Sequence, residues 1–106
     1  MSNVCNCACN CGDTPNRSIE IEVMTSSCPK MPVGSKLLLD GPIINTEKTK
    51  GPVCMTAMNA IYPWIMLTRF DVYTPDLDFD PAKNCYHGVC PCGTVTYDIR
   101  KGNAGR

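Results

Sequence analysis

Four cysteines alternate with other residues near the start of the chain, in the segment VCNCACNCG at residues 4–12. Thiolates are typical ligands of soft metals. In an extended chain, residues two apart share one face and lie about 6.6 Å apart. The sulfurs around one zinc ion are only about 3.8 Å apart. The four cysteines would therefore have to coil around one ion, share several ions or hold a larger cluster, and the alternative is a thiol-rich tail without metal. They are Cys5, Cys7, Cys9 and Cys11.

Three cysteines further along the chain occur in settings that favour a ligand role. Cys28 and Cys90 each precede a proline, an arrangement that is typical of iron–sulfur loops. Cys54 lies at the start of a predicted helix, where unpaired N–H groups and the helix dipole favour a thiolate. Because the three belong to different loops, they can converge on one site. The alternative for Cys54 alone is a small buried hydrophobic residue.

A four-ligand site needs one more donor, and the sequence leaves its identity open. Cys92 and Cys85 flank Cys90, and His87, the only histidine, offers a nitrogen ligand. A thiol of the N-terminal run is the remaining alternative, and otherwise that run forms a second site of its own. The expected cofactor is an iron–sulfur cluster in the first place and a zinc ion in the second.

The composition narrows the class of protein. Nine cysteines in 106 residues would suit a secreted disulfide scaffold, but the N-terminus lacks the basic and apolar regions of a signal peptide. The sequence therefore predicts a cytoplasmic protein with reduced thiols. Ten basic residues balance ten acidic ones, which gives no support for a nucleic-acid or membrane surface.

No sequence pattern of a known catalytic or nucleotide site is present. The nucleophile-elbow, Walker-type and dinucleotide glycine patterns are all missing. The acidic stretch from Asp71 to Asp80 lacks the glycine and glutamate positions of a calcium loop. We therefore predict no catalytic residue and interpret the acidic stretch as a solvated loop.

The pattern of apolar residues predicts a small α+β domain of order β-β-α-β. SIEIEVMT (18–25) and TVTYDIR (94–100) alternate as half-buried strands do, and KLLLDGP (36–42) is predicted as a strand closed by a turn. A helix is predicted over residues 53–69, kinked or split at Pro63. Its spaced apolar residues are Met55, Met58, Tyr62, Ile65 and Met66. We place a cysteine-rich appendage at 1–16, the domain at 17–101 and a disordered tail at 102–106.

Two further segments are predicted as loops, the acidic DVYTPDLDFDPAKN (71–84) and the cysteine-containing CYHGVCPCG (85–93).

From about Ile19 to Lys101 the chain resembles a family of small uncharacterised prokaryotic proteins that is frequent in anaerobes. The shared features are a Cys-Pro loop with a glycine, an Asp-Gly turn, the motif C-x-x-A-x-x-A-x-Y-P-x-I-x-x-x-R and a late Cys-Pro. This chain has Met55 where the family often has proline, and Asn59 where a histidine is common. The resemblance implies no activity, but it singles out the same three cysteines. The matching residues are Cys28-Pro29, Gly34, Asp40-Gly41, Cys54, Ala57, Ala60, Tyr62-Pro63, Ile65, Arg69 and Cys90-Pro91.

The sequence thus favours a non-catalytic accessory protein that binds a metal or cluster and acts with a larger enzyme or as a homo-oligomer. One alternative is a thiol–disulfide redox component centred on Cys90 and Cys92, although such enzymes usually separate their cysteines by two residues. The other is a metal-free docking subunit that uses its methionines and the Tyr62–Trp64 segment as a contact face.

Overall fold

The computed structural model describes residues 17–77 and 79–102. The predicted appendage at 1–16 and residues 103–106 of the predicted tail lie outside this range. Gly102, the first residue of that tail, donates a backbone hydrogen bond to Ser18. The elements are β1 (Ser18–Ser26), β2 (Lys36–Asp40), β3 (Ile43–Ile44), helix α1 (Met55–Arg69), a 3-10 turn (Pro75–Leu77), β4 (Phe79–Asp80), β5 (Cys85–Val89) and β6 (Val95–Lys101).

The six strands form one antiparallel sheet in the order β3-β2-β1-β6-β5-β4. This confirms the α+β class. The predicted order β-β-α-β omits three strands, since the chain runs β-β-β-α-β-β-β. Helix α1 covers one face of the sheet and contacts β1, β5 and β6. No helix in the two described ranges is long and apolar enough to cross a membrane.

Alternating apolar residues of the central strands form the core beneath the helix. Ile19, Ile21 and Val23 of β1 point to the same side as Tyr97 and Ile99 of β6 and are all buried. The polar residues between them face the other side of the sheet, as the two-residue period of a strand requires. The alternation that predicted β1 and β6 thus also fixes which face each residue occupies.

The helix begins two residues later than predicted and is not split at Pro63. Proline removes the bond to the carbonyl one turn back, but Pro63 lies on the exposed side of α1. The buried stripe is Ala57, Ile61, Ile65 and Thr68. Of the residues that predicted the helix, Met55 and Tyr62 are exposed instead.

The predicted cysteine loop at 85–93 is wrong in its first half, because Cys85–Val89 forms strand β5. Gly88 faces α1, where a Cβ atom would stand 2.9 Å from Ile61 Cγ2. A glycine here therefore reflects the close approach of the helix rather than a turn. The acidic segment 71–84 likewise contains the 3-10 turn and the short strand β4.

Candidate functional site

Three of the predicted ligands lie at one end of the sheet. Strands β1 and β5 both pair antiparallel with β6, so they run in the same direction and end at the same end of the sheet, on either side of β6. Cys28 follows the end of β1, and Cys90 follows the end of β5 directly. The N–H of Ser27 donates to the carbonyl of Thr94 at 2.8 Å, which joins the two loops.

Both Cys-Pro pairs begin a four-residue turn of the same kind. The N–H of Met31 donates to the carbonyl of Cys28 at 3.2 Å, and that of Gly93 donates to the carbonyl of Cys90 at 2.9 Å. Proline is favoured in the second position of such turns because its φ is already set. The second turn closes the β5–β6 hairpin, where Gly93 adopts a φ of 75°. The prolines therefore fix the chain as it leaves each cysteine.

Cys54 brings the third thiol to this end as the N-cap residue of α1. Its backbone is extended, with φ −94° and ψ 112°, and no side chain caps the first turn. The first N–H groups of a helix lack partners within the helix. Cys54 therefore lies beside amide donors that no side chain caps.

Tyr97 on β6 lies near all three thiols. Burial, together with the nearby thiols of Cys54, Cys90 and Cys28, raises the pKa of Tyr97 to about 12. The side chain is 2% exposed. Its hydroxyl is buried and makes no hydrogen bond within residues 17–77 and 79–102. The phenol is thus a buried polar group with thiols from three separate segments in its neighbourhood.

Cys90 lies in the most polar setting of the three. Its Sγ lies 3.4 Å from the Thr94 hydroxyl. Hydrogen bonds from that hydroxyl and from the backbone N–H groups of Thr94, Val95 and Cys92 lower the pKa of Cys90 to about 7. The hairpin turn thus directs several donors at one sulfur, which stabilises a thiolate whether or not a metal is bound.

Cys92 and the pair Cys85 and His87 are placed differently. Cys92 is exposed in the hairpin turn. Cys85 and His87 alternate with the helix-facing Tyr86 and Gly88, so they lie on the opposite face of the sheet. The structure therefore does not bring Cys85 or His87 together with the three thiols around Tyr97.

His87 is instead part of an ion-pair network on that open face. Its Nδ1 lies 2.8 Å from Asp98 Oδ1 and its Nε2 lies 3.1 Å from Asp80 Oδ2. Lys83 Nζ lies 3.1 Å from the second oxygen of Asp98. Hydrogen bonding to Asp80, and then to Asp98, raises the pKa of His87 despite its partial burial. The network borders an open cleft of about 830 Å³.

Cys85 completes the only compact group of metal-ligand side chains in the described part of the chain. One ligand atom each from Cys85, His87 and Asp98 lies within 4.8 Å of the others. However, both nitrogens of His87 are occupied by carboxylates, and burial and the charge of Asp98 raise the pKa of Cys85. The neighbouring ammonium of Lys83 further disfavours a cation. We interpret the group as an ion-pair network.

Tyr97 and Thr94 were not predicted as parts of the site. The alternation TVTYDIR marks Tyr97 only as an inward-facing strand residue. Its position among the thiols depends on the pairing of β1, β5 and β6 with one another, which a single sequence does not reveal. Thr94 had a weak local signal, since a hydroxyl four residues after the cysteine of a Cys-Pro pair can return to the sulfur across the turn.

A scan against protein-family models, a search of curated proteins and a search of solved structures each returned no match. The resemblance to the family from anaerobes therefore stays a prediction. The predicted second site at Cys5, Cys7, Cys9 and Cys11 lies outside the described residues.

Proposed function

We propose that the protein binds a thiolate-ligated metal centre through Cys28, Cys54 and Cys90. The centre is an iron–sulfur cluster in the first place and a zinc ion in the second. The proposed role is that of an accessory protein, since the pattern of residues supports ligation rather than a reaction on a substrate.

The main observation behind this proposal is the buried hydroxyl of Tyr97, which has no partner among the described residues. A buried polar group without a hydrogen bond is unfavourable by about 1–3 kcal/mol. With thiolates bound to a centre at this end of the sheet, the O–H could donate to a sulfur. Hydrogen bonds of this kind to sulfur are a known means of tuning clusters.

The spacing of the sulfurs favours a cluster over a single ion. Four sulfurs around zinc lie about 3.8 Å apart, given Zn–S bonds near 2.3 Å. The described residues hold just one group with all ligand atoms within 4.8 Å, and Cys28, Cys54 and Cys90 do not form it. A centre of several iron and sulfide ions accommodates wider spacing, whereas zinc would require the loops to move inward.

The test is anaerobic purification of the full chain, followed by iron, zinc and sulfide analysis. We expect iron and acid-labile sulfide in the wild type. Cys28→Ser, Cys54→Ser and Cys90→Ser should each lose most of both. Cys92→Ser is the matched control, since it changes an exposed thiol of the same hairpin turn. A folded wild type without metal or sulfide, before and after reconstitution, would refute the proposal.

A second candidate is a thiol–disulfide role centred on Cys90 and Cys92. It is favoured by the pKa of Cys90, which is lowered to about 7, because a thiolate at neutral pH is the attacking species. The nearly complete burial of Cys90 opposes it. Mass spectrometry without reductant distinguishes the two roles, since a reversible loss of two protons confined to the 90–92 peptide would favour the redox role.

A further inference from the structure

Cys92 is the one exposed cysteine in the described part of the chain, and it lies in the same hairpin turn as Cys90. Cys90 is buried, with 9% of its surface exposed, and packs in the core. Two residues along a chain place Cα atoms at most about 7 Å apart. The turn therefore holds one thiol in solvent and one ligand thiol in the core within a short distance of each other.

Hydrogen bonds of the hairpin turn fix the relation between these two cysteines. The N–H of Gly93 donates to the carbonyl of Cys90 at 2.9 Å, and the N–H of Cys90 donates to the carbonyl of Val95 at 3.0 Å. The backbone N–H of Cys92 donates to the sulfur of Cys90. The backbone of Cys92 thus contacts the ligand sulfur directly, while Cys92 itself is exposed to solvent.

The space beside this turn is open to an approaching molecule. Pro91, Cys92 and Gly93 are all exposed. A Cβ atom added at Gly93 would meet no atom of the described residues within 4 Å. A molecule that carries a metal ion can therefore reach the thiol of Cys92 from solvent without moving any residue of residues 17–77 and 79–102.

The turn at Cys28 provides an internal comparison. It has the same Cys-Pro start, and its third residue, Lys30, is exposed as Cys92 is. An ammonium group has no lone pair to offer to a metal and repels a cation. A thiolate, in contrast, is a typical ligand of soft metals. Of the two Cys-Pro turns, only the one at Cys90 thus presents a ligand atom to solvent.

We propose that Cys92 is the entry and exit ligand of the centre at Cys28, Cys54 and Cys90, and that the protein exchanges its metal with another thiolate-bearing metal carrier. This inference rests on the proposed function and names what the site does with its metal. The centre itself is held by the less exposed thiols, and Cys92 bonds the metal only in passage.

The passage of iron is an exchange of ligands without a change in oxidation state. The thiol of Cys92 releases its proton to solvent, and its sulfur bonds the incoming iron as a bond from the iron to the carrier breaks. Cys90, having also released its proton, then bonds the iron as the bond to Cys92 breaks, and Cys92 takes up a proton again. Export follows the same steps in reverse.

A ligand that acts only in passage affects rates and leaves the final state unchanged. The dissociation constant is the ratio of the release rate to the loading rate, so loss of such a ligand slows both by the same factor. An interaction made only in the transition state has this signature. Loss of a permanent ligand would instead lower the amount of metal bound.

The test measures both rates on the full-length protein under argon, with a phosphine reductant so that no disulfide forms. Wild type and Cys92→Ser are loaded with Fe²⁺ and sulfide, and release is then started with excess EDTA. We expect equal iron content, with loading and release both at least about tenfold slower in Cys92→Ser, equivalent to about 1.4 kcal/mol in activation free energy. Lys30→Ser, the matched control in the other turn, should keep both wild-type rates.

Three results would overturn this inference. Equal rates in Cys92→Ser and the wild type, with Cys28→Ser still unable to hold iron, would reject the role of Cys92 and leave the proposed function intact. A lower iron content in Cys92→Ser would make Cys92 a permanent ligand. Equal slowing in Lys30→Ser would trace the effect to disturbance of the turns. If Cys28→Ser also retains its iron, the proposed function fails as well.

Discussion

Replacing Tyr97 by phenylalanine should change stability in opposite directions in the metal-free and the metal-loaded protein. In the metal-free form the substitution removes a buried hydroxyl without a partner among the described residues and preserves the shape of the ring. Leaving such a group buried is unfavourable by about 1–3 kcal/mol. We therefore expect the free energy of unfolding to rise by about 1 kcal/mol, equivalent to an increase in Tm of about 4–8 °C for a domain of this size.

In the loaded form the same hydroxyl is expected to donate to a ligating sulfur. A hydrogen bond to a charged group contributes about 1.5–3 kcal/mol. Its loss should outweigh the gain just described, so Tyr97→Phe should release its iron faster than the wild type. The change of sign between the two forms distinguishes a ligand-directed hydroxyl from an ordinary core residue.

The assay is urea unfolding under reductant, with chelator for the metal-free form and after reconstitution for the loaded form. Tyr86→Phe is the matched control, because Tyr86 donates to the carbonyl of Val72 and accepts from the N–H of Thr74. Its substitution leaves two groups without their partner and should destabilise both forms by about 1–3 kcal/mol. A metal-free Tyr97→Phe protein that is also destabilised by that amount would refute the reasoning.

Three further predictions concern the rest of the molecule. The pKa of His87, read by NMR titration, should lie above its ordinary value of 6.5 and fall in Asp98→Asn. Because the folded pKa is raised, the stability that the imidazolium contributes is complete below pH 6.5 and is lost as the pH rises through the folded pKa. A difference in stability between the wild type and His87→Gln that does not change with pH would contradict this prediction. Gly88→Ala should destabilise the domain by about 1–3 kcal/mol in urea unfolding, since the new Cβ would stand 2.9 Å from Ile61 Cγ2. An unchanged urea midpoint would show instead that the helix shifts to accommodate the methyl group. Deleting residues 1–16 should change the unfolding free energy of the metal-free protein by less than about 1 kcal/mol, because the core begins at Ile19. If the shortened chain is unfolded instead, part of the core must come from the removed segment.

The elements predicted from the sequence are those whose local pattern agrees with their environment. The strands β1 and β6 alternate clearly because one face of each packs under the helix. Strand β5 was missed because its Gly88 suggests a turn, and the close approach of Ile61 that calls for glycine is a long-range contact. Met55 and Tyr62, which helped to predict the helix, are exposed, because the sequence does not show which side of a helix meets the sheet.

The candidate site was predictable to the same extent. Cys28 and Cys90 had a local signal in the following proline, and Cys54 had one in its position at a helix start. Their common location depends on the parallel directions of β1 and β5, which follow from the pairing of both strands with β6. That pairing also places His87 on the far face, although it lies only three residues from Cys90.

Within residues 17–77 and 79–102, the sheet ends on both sides in a strand of two residues, β3 at Ile43–Ile44 and β4 at Phe79–Asp80. Unpaired N–H and C=O groups on a long edge strand offer a template on which another chain can add and start an aggregate. Edges this short offer very few such groups. Growth of the sheet from one molecule to the next through these edges is therefore disfavoured, even when the thiols are reduced and metal-free.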